Sequence, residues 1–146
     1  MQIVAKKSEQ PHVPGIALFT IWFGANDACL LPSKQHIPLP KFSANLTYFI
    51  QALKSPGSEY YSPRTRIILI TPPPINTYQR SADLQSRNPP IPLDRDFEVT
   101  RQYAEAVKDV GKKEGVPVVD VWTKLYDAVG RDERKLEKFM DDGLHL

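Results

Sequence analysis

Two short stretches of this chain hold side chains whose types and spacing can do chemistry. In the first, an apolar run stops at Gly24 and is followed by Asn26 and Asp27. A glycine lets the backbone turn sharply and approach a ligand closely, and an asparagine offers an amide donor that stays neutral at every working pH. Placed beside a reacting carbonyl, such a donor stabilises the negative charge that develops on its oxygen. The same residue types also make ordinary strand-to-loop turns. The second stretch is DDGLHL at the far end, where Asp142 and His145 stand three apart with Gly143 between them. A carboxylate that close to an imidazole can hold one ring nitrogen, fix the tautomer and leave the other nitrogen as a general base. Taken alone, a pair of this kind also reads as a solvated turn with an exposed histidine.

Other reactive side chains are less well placed. Free cysteine is among the most buried residue types, so Cys29 is expected to pack under the loop after Asp27 rather than to react. His36, with Pro38 and Pro40 behind it, is expected on the surface of that loop. Asp120 is expected to cap the helix that follows it, aspartate being a preferred N-cap. Among the serines only Ser58 follows a glycine, and PGSEY reads as a turn rather than the end of a buried strand.

Together these residues resemble the SGNH, or GDSL, hydrolases, a family of esterases and lipases. FGANDA is similar to the family's GxND block and DGLH to its DxxH block. The segments QHIPLPKFSANL and VPVVDVWTKL resemble the isoamyl acetate-hydrolysing esterase branch, and the likeness runs from about Pro11 to Leu146. The resemblance implies that the Asn26 amide donates to the oxyanion, that Gly24 shapes its turn, that His145 is the general base and that Asp142 orients it. It further implies hydrolysis of short acyl esters such as acetates by a serine nucleophile, with no metal or organic cofactor. The family's GDS nucleophile block, and the block whose glycine amide completes the oxyanion hole, have no counterpart here. The expectation is therefore one partial domain, residues 1–146, of a larger hydrolase, with little or no turnover by itself.

Residues 16–23 form a run without polar alternation, rich in β-branched and aromatic residues. Such a run reads as a strand covered on both faces, the habit of parallel sheets. Ligands of these sheets bind beyond the carboxyl ends of the strands, where Gly24 and Asn26 stand. Phe42, Leu46, Phe49, Ile50 and Leu53 recur at helical spacing from about Pro40. Residues 67–70 read as a second strand ending at TPPP. The stretch from there to Pro92 is rich in proline and lacks an apolar period, so it is expected to be a long excursion helping to wall the substrate pocket. Within it Pro89 and Pro92 make a PxxP near Arg95, the spacing of a proline-rich peptide ligand. Asp94 or Asp96 can cap a helix whose inward face is Phe97, Thr100, Tyr103, Ala104, Val107 and Val110. A strand over 116–121 follows, then a helix with Trp122, Leu125, Tyr126 and Val129, then a short piece with Leu136, Phe139 and Met140. The first residues read as the tail of a helix.

The alternation of strand and helix predicts an α/β fold with a parallel sheet, and the resemblance implies a three-layer, flavodoxin-like one reduced to about three strands. The first strand then lies at an open edge, and the chain is expected to be marginally stable or to self-associate through it. Composition is that of an ordinary globular protein, 41% hydrophobic and 25% charged with a net charge of +2. That charge argues against a nucleic-acid protein. No run approaches the length of a membrane span, no signal peptide is evident at the start, and a single cysteine fits a reducing, cytoplasmic compartment.

Overall fold

The structure is a computed structural model that describes residues 4–146. Three strands, Leu18–Trp22 (β1), Arg66–Ile70 (β2) and Val118–Val119 (β3), form a parallel sheet in the order β1-β2-β3. Phe19 pairs with Ile67, Ile21 with Leu69, and Leu69 in turn with Val118. This register lines Phe19, Ile21, Ile67, Leu69 and Val118 up on one face. Two long helices, Leu39–Lys54 (α1) and Phe97–Glu114 (α3), pack on that face and on each other, and Ile21, Ile67 and Leu69 join Phe42, Leu46, Ile50, Tyr103 and Val107 in one core. Each such side chain, fully removed from water, contributes about 1.5–3 kcal/mol.

The helices start and stop where their sequences say they should. Pro40 stands in the first turn of α1, where its missing N–H costs nothing. Asp96 caps α3, its carboxylate accepting from Val99 N at 3.0 Å, and Gly115 ends it at φ +64°. The apolar stripe foreseen on α3 is buried throughout, whereas on α1 Phe49 is partly exposed and stacks against Phe23. Asp120 caps Val121–Ala128 (α4) through Thr123 N at 3.0 Å.

Four expectations need correction. The excursion after β2 holds a helix, Thr77–Ser86 (α2), capped by the buried Asn76; only Leu84 among its apolar residues is buried, which is why no apolar period marks it. The third strand is two residues long, because Pro117 has no N–H to give the ladder and Asp120 already caps α4. For the proposed helix tail, Met1 to Ile3 lie outside the described residues, and from Val4 the chain runs in turns to a 3-10 segment, Gln10–His12. Finally, β1 is covered on one face only. Leu18 and Trp22, on the other, are 50% and 52% exposed; the open outer edge of β1 is as expected, with no neighbour there among the described residues.

A second, smaller core sits beyond the carboxyl ends of the strands. Ile75, Phe97, Ala104, Trp122, Val129, Leu136 and Met140 form it, with the rings of Phe97, Trp122 and Tyr126 in mutual contact. The 3-10 segment Glu133–Phe139 feeds Leu136 into this core and delivers the chain to DDGLHL.

Candidate active site

Gly24 sits at φ +116°, a conformation that favours glycine, and a Cβ there would lie 2.9 Å from Pro72 Cγ. The turn closes on itself: Asp27 Oδ2 accepts from Gly24 N at 3.1 Å, and Ala28 N donates to Gly24 O at 2.9 Å. Asp27 is therefore spent on the turn, and Asn26 is the exposed polar side chain at its tip. Its Oδ1 accepts from Arg95 Nη2 at 3.3 Å. A guanidinium can only donate, so this contact fixes which end of the amide is oxygen and leaves the NH₂ to face a ligand.

At the other end Asp142 gathers four donors. Its Oδ1 accepts from the backbone N–H groups of Leu144 and His145 at 3.0 and 2.9 Å. His145 Nδ1 lies 3.0 Å from Oδ2 and 3.1 Å from Oδ1, and Arg80 Nη1 donates to Oδ2 at 2.5 Å. With the proton on Nδ1, the ring donates to the carboxylate and Nε2 is free to accept. The imidazole is 73% exposed, so it can be reached by a reacting group. Burial pushes the Asp142 carboxyl up, but the N–H groups of His145 and Leu144 and the imidazole outweigh it and hold its pKa below the ordinary aspartate value.

The DGLH loop owes its place to α2. Asn76 N donates to Gly143 O at 3.0 Å, and Gln79 Nε2 donates to Met140 O at 2.9 Å. Gly143, at φ +80°, comes so close that a Cβ would stand 2.4 Å from Arg80 N and 2.6 Å from Asn76 O. Since α2 follows the carboxyl end of β2, both stretches lie at the end of the sheet where such folds bind ligands.

Sequence reasoning missed three residues here: Arg80, Asp94 and Arg95. Asp94 takes Arg80 in a two-pronged pair, Nε to Oδ1 at 2.9 Å and Nη2 to Oδ2 at 2.8 Å. Those hydrogen bonds, set against burial and aided by the charges of Arg80 and Arg95, hold the Asp94 carboxyl below its ordinary range. Arg95 is buried, its guanidinium held by Ala25 O, Asp94 O, Asn26, Gln35 and the Cys29 sulfur. It is thus not available to a partner recognising the nearby PxxP. The signal was the alternation of LDRDF at a helix entry, where only Asp96 turned out to be the cap.

The remaining reactive groups are placed as follows. Cys29 is buried, as expected. His36 is half-buried rather than on the surface, its Nδ1 2.7 Å from Cys29 O, which ties the loop back on itself. Among the described residues no serine hydroxyl is hydrogen-bonded to His145, and no three His, Cys, Asp or Glu side chains converge as metal ligands. A cavity of about 940 Å³ opens at the amino ends of the strands around Gly15, Ile16 and Arg64, away from both stretches. A cleft of about 250 Å³ beside the GAND turn is apolar, lined by Phe23, Ile37, Phe42, Leu46 and Phe49 with Asp27 at its edge.

A parallel α/β sheet carrying an amide at one strand end and a carboxylate–imidazole pair docked beside the next is an arrangement known from hydrolases. The chain belongs to the GDSL-like lipase/acylhydrolase family, whose model matches residues 2–146. It is 37% identical over 140 residues to the isoamyl acetate-hydrolyzing esterase 1 homolog of Mus musculus, an alignment covering 93% of this chain and 51% of that protein. A GDSL esterase/lipase of Arabidopsis thaliana is 37% identical over 134 residues, 89% of this chain and 52% of its own length. The crystal structure of a lipase/acylhydrolase from Enterococcus faecalis matches with a TM-score of 0.59 at 28% identity, over 87% of this chain and 51% of that one. The chain thus spans about half the length of the relatives it matches.

Proposed function

We propose that this chain carries the base and oxyanion half of a carboxylic-ester hydrolase. His145 Nε2 takes the proton of a serine hydroxyl as that oxygen attacks the ester carbonyl. Asp142, holding Nδ1–H, keeps the tautomer and stabilises the imidazolium that forms. Asn26 donates its NH₂ to the tetrahedral oxyanion, and Gly24 lets the backbone turn tightly enough to present it. Collapse of the intermediate expels the alcohol, which His145 reprotonates, and water attacking by the same route releases the acid. The attacking serine belongs to a segment other than those seen at this site. Relatives named for isoamyl acetate support short acyl esters as the substrate class, and the apolar cleft at Phe23 and Phe49 suits an alkyl group. The single cysteine fits a reducing, cytoplasmic setting, and among the described residues no helix is long and apolar enough to cross a membrane.

The observation that carries this reading is the His145–Asp142 hydrogen bond at 3.0 Å on a loop locked to α2, with the second imidazole nitrogen open. Hydrolysis of a short-chain aryl acetate tests it, with the chain assayed beside His145→Ala and Asp142→Ala, alone and mixed with a polypeptide bearing the family's GDS block. The expected result is a blank from the chain alone and activity from the mixture that both substitutions abolish. Activity in the mixture that survives both substitutions would overturn the assignment. Activity in the chain alone, lost in both variants, would keep the two roles and place the nucleophile within these residues.

The exposed, unpaired edge of β1 is read as an association surface for further chain or a second copy. A chain that sediments as a monomer at every concentration would count against it.

A further inference from the structure

Between Asn26 and Asp142 runs a continuous line of charged contacts, hydrogen bonds joined by one ion pair between Arg95 and Asp94, that neither GAND nor DGLH contains. Arg95 Nη2 donates to Asn26 Oδ1 at 3.3 Å, and Arg95 Nη1 lies 3.5 Å from Asp94 Oδ2. Asp94 receives Arg80 through Nε and Nη2, and the remaining nitrogen of Arg80, Nη1, reaches Asp142. Both guanidiniums are buried, their side chains 3% and 6% exposed.

Stability alone does not account for this line. Two desolvated guanidiniums are costly, and apolar residues of the same volume commonly do as well or better. Apolar packing, however, cannot orient an amide oxygen at one end and a carboxylate at the other. The planar fork of arginine can, because one face of it grips Asp94 in two parallel bonds while the outer nitrogen points in a set direction. Lysine, a rotatable point charge, cannot do both. We propose that Arg80, Asp94 and Arg95 are positioning residues acting as one unit, which holds the Asn26 amide and the Asp142 carboxylate in register across the site. The proposal rests on the roles given above to Asn26 and Asp142, since it is their mutual placement that the unit serves.

The test reads one end of the line while disturbing the other, in the isotopically labelled 146-residue chain by NMR. Arg80 and Asp94 do not touch Asn26, so a merely local clamp on Asp142 leaves the Asn26 side-chain amide unmoved. Arg80→Lys and Asp94→Asn are each expected to shift and broaden the Asn26 Nδ2 resonances, and Arg95→Lys to shift the Asp142 carboxyl ¹³C resonance. Arg101→Lys, at an exposed pair with Glu98, is expected to do neither. Asn26 resonances that stay in place in a folded Arg80→Lys or Asp94→Asn chain would overturn the proposal, even if the variant melts earlier. Should both variants unfold, the unsubstituted chain decides: slow guanidinium rotation is expected at Arg80 and Arg95 and fast averaging at Arg101, and averaging at Arg80 or Arg95 would overturn it. None of these readouts needs turnover. Activity in the mixture that survives His145→Ala and Asp142→Ala, with coupled resonances, therefore sinks the esterase reading alone, and activity that both substitutions abolish, with uncoupled resonances, sinks this one alone.

Discussion

The two halves of the candidate site are built by opposite means. The GAND turn is local: it hangs from the end of β1, closes through Asp27 and the Gly24 carbonyl, and touches distant sequence mainly through Arg95 and Pro72. The DGLH loop belongs to no strand. It is held by α2, more than sixty residues earlier, through Asn76, Gln79 and Arg80. A strand end places an asparagine with few contacts because the sheet already fixes the backbone, whereas a loop beyond a 3-10 segment must be fastened from outside. Each half is therefore fragile in a different place: the turn in its own backbone, the loop in its seat on another element.

The largest losses are expected at the two glycines. Gly143→Ala puts a methyl group against the backbone of α2, which cannot yield, at a φ of +80°. A loss of about 3 kcal/mol or more is expected in urea unfolding, with the Asp142–His145 hydrogen bond lost from the imidazole ¹⁵N spectrum. Gly24→Ala faces the ring of Pro72 at a φ of +116°. The expected loss is smaller, about 2 kcal/mol, and the imidazole spectrum should stay unchanged because the DGLH seat is untouched. Equal losses at both positions would dissolve the distinction.

Acid sharpens it. Asp94 and Asp142 both have pKa values held below the ordinary 3.8 in the folded chain. A carboxyl so depressed contributes stability that is fully present above its unfolded pKa and is lost as pH falls through its folded one. The urea midpoint should therefore fall below about pH 4, and Asp94→Asn should flatten that fall. A midpoint as steep in Asp94→Asn as in the unsubstituted chain would remove Asp94 from the account.

The smallest effect is expected at the open edge. Leu18 is half exposed, so Leu18→Lys should change the stability of a monomer by no more than about 0.5 kcal/mol. A lysine on an exposed edge strand opposes pairing with another chain, so the same substitution should reduce self-association in sedimentation. If association persists unchanged, it does not run through β1.

Much of this could be read before any coordinates. The helical spacing of Phe42, Leu46, Ile50 and of Phe97, Tyr103, Val107, the cap at Asp120, the glycine ending α3 and the two motif stretches all follow from local rules, because periodicity and capping are properties of neighbours in sequence. The chain also states by itself that Asp142 and His145 can meet, three residues apart across a glycine. Tertiary packing alone makes α2 a platform despite its lack of an apolar stripe, and makes Asp94, which by sequence is as good a cap as Asp96, the anion between two buried guanidiniums. Neither is visible locally, since a buried charge looks in sequence like a surface one until the fold supplies its partner. The chain's own pattern wrote β1 for two covered faces, and the tertiary structure covers one, because coverage depends on what packs against a strand and not on the strand.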